Sequence, residues 1–294
     1  MMRRLSLAIA AAAALLVPVA APAQVVRQFT RKDLTIQVEP NLAYIFYRTQ
    51  VQVPMIFIRE PNASDWAVWR GARSAALDKA LKKYQKEYRS WQSAAKQWDN
   101  TAENMRGGVS RPVKPVMPTD DNFAFPTIEM STMTEGRISP AFFKEKPVFG
   151  FLIAVPPGTY MIYGSVMAFG GNMVGVCMCM GTVKFEARAG EIVDLGIFAV
   201  PGVPVGTRPA PVPAYSKPPQ TEIRPFDGPP PARFAGLTVR PAEYYAAGKL
   251  PNYFGVTIDR LAPMQGVLGY RRDRIIDQRT GQPITNQSGT AEGR

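Results

Sequence analysis

Apolar and polar positions change period three times along the chain. Over residues 24–60 the pattern is that of strands. Leu34, Ile36 and Val38 alternate with polar neighbours, as a half-buried strand does. Denser runs follow at 43–47 and 53–58, with Pro54 at the start of the second. Over residues 61–107 the period becomes helical. Leu77, Leu81, Tyr84, Tyr88, Trp91, Ala95, Trp98, Ala102 and Met105 recur at alternating spacings of four and three, one stripe of an amphipathic helix. Trp66 and Trp69 extend the stripe upstream, Asn62 or Ser64 supplies a cap, and Gly107-Gly108 supplies a stop. As one rod this insertion would reach ~60 Å. A hairpin is the alternative. The stripe is aromatic and Ala-rich, which predicts packing on a protein surface rather than a coiled coil, with a solvated face opposite.

Residues 108–126, with Pro112, Pro115, Pro118 and Asp120-Asp121, read as a loop. Strand patterning resumes over 127–200. Residues 127–133 alternate, and 148–155 are apolar. Pro156-Pro157-Gly158-Thr159 predicts a turn that pairs 160–168 back as a hairpin. Gly170-Gly171-Asn172 and Ala189-Gly190-Glu191 bound a strand region over 174–188, and 192–200 follows. Eleven prolines between Pro201 and Pro231 make 201–236 a linker or a surface strap, with the linker favoured. Short strands are expected over 237–279, with a helical turn at 241–248, and a frayed tail over 280–294. The fold class that follows is mainly β with a long helical insertion, an antiparallel β-sandwich, α+β overall.

The first 23 residues add a location. Arg3-Arg4, an apolar run from Leu5 to Ala20, and Ala21-Pro22-Ala23 have the three parts of a secretory signal peptide, with a cut expected after Ala23. No Cys stands near that cut to accept a lipid, and no later run is long enough to span a membrane. The expectation is a soluble periplasmic or secreted protein. Its formal charge is +12, or +10 once Arg3 and Arg4 leave. Outside the cytoplasm that charge favours anionic envelope components or another envelope protein as partner, not nucleic acid.

Candidate chemistry is sparse. There is no histidine, which removes Ser-His-Asp and Cys-His nucleophiles and His-based zinc sites. Ser93 and Lys96 match an S-x-x-K motif, but neither S-D-N nor K-T-G accompanies it. Cys177-Met178-Cys179-Met180, with Met173 just before, offers soft ligands of the kind that select Cu(I), and Cys177 and Cys179 are the candidate metal residues. Strand alternation would put the thiols on one face and the thioethers on the other. The same cysteines also suit core packing, or a disulfide if Gly175 or Gly181 bends the strand. No cofactor is indicated.

The stretch 149–198 resembles transthyretin-like and carboxypeptidase-regulatory-like sandwiches of bacterial envelope proteins. Pro157-Gly158-Thr159-Tyr160 between strands, Gly181-Thr182-Val183-Lys184-Phe185, Ala189-Gly190-Glu191 and Leu195-Gly196 carry the resemblance. It implies an exported accessory domain and transfers no catalytic residue. The combined expectation is a non-enzymatic envelope protein with a binding or scaffolding role. A soft-metal or redox role at Cys177 and Cys179 is the alternative, and a His-independent enzyme the second alternative.

Overall fold

The computed structural model describes residues 27–135, 141–145, 148–207, 209–210 and 220–284. The leader therefore lies outside the described residues, as do most of the Pro-rich stretch around 211–219 and the tail from 285.

In chain order, β1 (Arg27–Phe29), β2 (Ala43–Thr49) and β3 (Ile56–Arg59) precede the long helix α1 (Ala63–Asn100). A short helix α2 (Ile128–Ser131) leads into β4 (Met133–Glu135), β5 (Phe143–Glu145), β6 (Val148–Val155), β7 (Gly158–Phe169), β8 (Asn172–Cys177), β9 (Thr182–Ala187) and β10 (Ile192–Ala199). The last third adds β11 (Glu222–Arg224), β12 (Val239–Pro241), β13 (Tyr245–Ala247), β14 (Thr257–Ile258), β15 (Leu268–Arg271) and β16 (Arg274–Asp277). One seven-stranded sheet runs β1-β6-β2-β10-β11, with β5 added on β6 and β12 on β10. The other runs β13-β9-β7-β3-β4, with β8 on β7 and β14 on β8.

The architecture is β-rich α+β, but the sheets are mixed rather than antiparallel. β2 and β12 both run parallel to β10, and β14 runs parallel to β8. The reason lies in the turns. Pro156-Pro157 does not close a hairpin: it carries the chain from β6 in one sheet to β7 in the other. The turn at 189–191 likewise carries β9 to β10, and 50–55 carries β2 to β3. Neighbours within a sheet are thus remote in sequence, and turn chemistry does not set their direction. Among the predicted turns, only Gly170-Gly171 makes a true hairpin, between β7 and β8.

Burial explains the dense apolar runs. One core cluster takes Ala43, Ile45 and Tyr47 of β2 and Phe151, Ile153 and Val155 of β6. Against them it sets Phe57 of β3, Tyr160 and Ile162 of β7, and Val183 and Phe185 of β9. The alternate residues Tyr44, Phe46, Leu152 and Ala154 fill a second cluster with Phe29 and Phe234. Ile56, Ile58, Tyr163 and Val166 fill a third with Cys177 and Cys179. Each central strand is covered on both faces, so it reads as continuous hydrophobe instead of alternation.

Several sequence expectations change. Residues 34–38 form no strand: Leu34 is 76% exposed while Ile36 is buried. The alternating stretch 127–133 is mostly the helix α2, where Ile128 alone is buried. The region 174–188 is two strands, and 241–248 holds the end of β12 and all of β13 rather than a helical turn. The described part of 201–236 is no linker. β11 is a sheet strand, Gln50 donates from Nε2 to the Pro204 carbonyl at 2.9 Å, and Phe234 is a core residue. Residues 280–284 fold back on β16, with the Ile284 N–H donating to the Ile275 carbonyl.

Candidate functional site

α1 is a single rod. Its 38 residues span about 57 Å at 1.5 Å per residue. It starts on a reciprocal capping box. The Asn62 side-chain oxygen accepts from the Asp65 N–H at 3.0 Å, and the Asp65 carboxylate accepts from the Asn62 N–H at 2.8 Å. The other Asp65 oxygen meets the Arg59 guanidinium of β3 at 2.7 Å, which ties the root of the helix to a sheet. Burial opposes the Asp65 charge, but the Arg59 and Asn62 hydrogen bonds and the Arg59 charge outweigh it and hold the carboxyl below its ordinary value.

Beyond its root the helix does not pack on the sheets. None of the three core clusters takes a residue from it, and Ala95 is its one buried residue. Its aromatic stripe is covered by the segment whose prolines read as a loop. Helix α1 ends at Asn100 with Thr101 as cap, short of the expected stop. Gly107 and Gly108, at φ of 57° and 77°, instead reverse the chain, and residues 109–126 return along the stripe. The indole N–H of Trp98 donates to the Val109 carbonyl at 3.1 Å, that of Trp91 to Pro112 at 3.0 Å, and that of Trp69 to Pro126 at 2.8 Å. Arg73 pairs with Asp120, and Arg111 with Asp99. The Lys114 ammonium lies over the Tyr88 and Trp91 rings.

The two periods match. Pro112, Pro115 and Pro118 are half-buried while Val113, Lys114, Val116 and Met117 are exposed, a repeat of three as in polyproline II. Three such residues advance ~9.3 Å and one helical heptad ~10.5 Å, so Trp98 and Trp91, a heptad apart, find carbonyls three residues apart on the strap, at Val109 and Pro112. An extended strap leaves its carbonyls unused by its own backbone, and the indoles need acceptors.

The reverse face of the arm is basic. Lys79, Lys82 and Lys86 lie opposite the aromatic stripe, with Arg89 and Lys96 on the flank of the same face, and all are exposed. Lys83 beside them pairs with Glu87 at 3.6 Å. Among the described residues, Lys79, Lys82 and Lys86 have no ion-pair or hydrogen-bond partner. Both stripes are visible in the sequence, but the aromatic one packs on the strap and not, as expected, on the β body. The signal that points to the strap is the three-residue proline period.

The other candidates are less open. Cys177 and Cys179 are joined in a disulfide, with Cα atoms 5.1 Å apart, so of the three readings left open the structure holds the cross-link. β8 ends at Cys177, and the chain bends through 178–181. Both cysteines are buried in the outer cluster of their sheet, Met178 points into the inner cluster, and Met180 is exposed. The structure therefore gathers no Cu(I)-type ligand set there, and neither sulfur of the disulfide is a thiolate. Among the described residues no group of three or more His, Cys, Asp or Glu is placed to hold a metal. Ser93 and Lys96 sit exposed on the arm, and the Ser93 hydroxyl donates back to the Arg89 carbonyl at 3.3 Å. A groove of about 530 Å³ beside β16, lined by Lys249, Asp273, Arg274, Gln282 and Pro283 among others, presents no hydroxyl or thiol. Among the described residues no helix is long and apolar enough to cross a membrane.

No protein-family model matches the chain, and neither the curated proteins nor the solved structures contain a match to it.

Proposed function

We propose that the chain is an exported, soluble, non-enzymatic envelope protein. In this reading a β body scaffolds a rigid arm whose basic face binds an anionic envelope component. One observation carries it: the strap closes the aromatic face of α1 and leaves Lys79, Lys82 and Lys86 unpaired on the opposite face. Three free cations within about two helical turns (~10 Å) of an exposed face suit a polyanion that presents several charges in a row. The leader supports export. The shared core between the sheets, and the transthyretin-like turn pattern over β6–β10, support a face-to-face sandwich as the scaffold. No cofactor enters this reading.

The test is binding of the chain, cut after Ala23, to a polyanionic envelope polymer against its neutral counterpart. The triple variant Lys79→Glu, Lys82→Glu, Lys86→Glu is expected to lose binding about tenfold or more, with the wild-type interaction weakening as salt rises. Unchanged binding in that variant, or turnover of the polymer, would sink the proposal.

A further inference from the structure

The β7–β8 hairpin stands out from the rest of the surface. No charged residue occurs between Lys146 and Lys184. On the β3 side, pairing of β7 stops at Gly164, so among the described residues 165–169 have a strand partner in β8 alone. β14 reaches only Val176 and Cys177 of β8, which leaves 172–175 paired on one side among the described residues. The hairpin therefore projects beyond its sheet. Its tip is apolar apart from Asn172, which lies opposite Phe169. Ala168 and Met173 lie opposite each other on one face, while Met167, Val174 and Phe169 lie on the other. Residues 168–174 are all exposed, and Phe169 is 74% exposed. Gly170 and Gly171, at φ of 56° and 82°, close the tip in the left-handed region, with open space around both.

Such a tip carries a cost in water and none of the usual protections of a free edge, which are charge, proline or cover. A protein–protein interface ordinarily has an apolar core within a polar rim. This tip has no charged side chain of its own to desolvate. The chain around it is strongly cationic. An apolar insert on a cationic protein fits two-part attachment to anionic lipid. We propose that the tip 168–174 inserts into the interface of an anionic phospholipid bilayer, with Phe169 as the leading side chain. The unpaired backbone edges keep it at headgroup depth, where water still reaches their N–H and C=O groups. This proposal rests on the hairpin and stands apart from the reading of the arm.

Sedimentation with vesicles of equal phosphatidylglycerol and phosphatidylcholine, against phosphatidylcholine alone, tests it. The wild-type chain is expected to bind the anionic vesicles, and Phe169→Asp to bind about tenfold more weakly, with unchanged circular dichroism. All four native tryptophans lie on the arm. Emission added by Phe169→Trp therefore reports the tip alone, and a blue shift is expected on adding anionic vesicles. Equal binding by Phe169→Asp, an unshifted emission from the Phe169→Trp variant, or no vesicle binding by the wild type would overturn the proposal. So would a wild-type dimer that Phe169→Asp splits, since the tip would then be a contact between copies. The triple lysine variant keeps the tip, so a failed arm reading and a failed tip reading give different results.

Discussion

The β body and the helical arm of this chain are held together by different physics. In the body, Phe57 is fully buried and meets Tyr47 at 5.4 Å and Phe185 at 5.9 Å between ring centroids, residues brought together from three strands. In the arm, Trp91 is half-exposed, meets the Tyr88 ring one helical turn away at 5.3 Å in a tilted pair, and finds its hydrogen-bond partner in a segment that follows it closely in sequence. The body gains stability from area removed from water by non-local pairing. The arm gains it from a repeated local contact between a helix and an extended strap. Surface that is half-covered stabilises less, so the arm is the region expected to open first.

The largest effect should come from the body. Phe57→Ala removes a fully buried ring and is expected to cost ~3–5 kcal/mol. The loss should appear as faster hydrogen exchange in β2 and β7. Tryptophan emission, which reads only the arm, should keep its midpoint in urea. A matched shift of both probes would show that the two regions unfold as one, and would break the comparison.

A smaller effect is expected from the arm. Trp91→Ala removes one indole hydrogen bond and the ring contact with Tyr88, at a cost of ~2 kcal/mol. Helical signal at 222 nm should melt at lower temperature, while exchange protection in β2 and β7 stays as in the wild type. Loss of body protection would instead mean that the strap supports the sheets.

The smallest effect lies where the regions join. Asp65→Asn keeps a capping residue but removes the charge facing Arg59, and should cost ~1 kcal/mol. Its pH dependence sharpens the point. The folded carboxyl titrates below the ordinary 3.8, so the unfolded arm takes up the proton first. The contribution is then complete above the ordinary value and is lost as pH falls through the folded one. Wild-type helicity should drop in that acid range, and the Asp65→Asn variant should lack that step.

Legibility in the sequence divides along the same line. The arm's helix is readable because each turn repeats the same local requirement. The cover of its stripe is harder to read, because Pro112, Pro115 and Pro118 are each a loop signal and only their spacing points to a strap. Turn residues at 156–158 and 189–191 are plain, but a turn does not say whether the next strand stays in its sheet. Parallel pairing of β2 with β10 therefore lies beyond pattern reading. Cys177 and Cys179 stand out in the sequence, but the bend that joins them depends on where β8 ends. That end is invisible within a run containing no turn dipeptide.

The arm also has a topological property. It leaves from the end of β3 and returns at the start of β4, two strands that are antiparallel neighbours with Ile58 opposite Met133. The Arg59 N–H already donates to the Thr132 carbonyl, and the Thr132 hydroxyl to the Arg59 carbonyl. In effect the whole arm occupies the place of a hairpin loop. Everything between Arg59 and Thr132 is thus excisable in principle, with a two-residue Asn-Gly turn closing the gap, and the freed rod and strap could be grafted into another hairpin as a ready-made spacer.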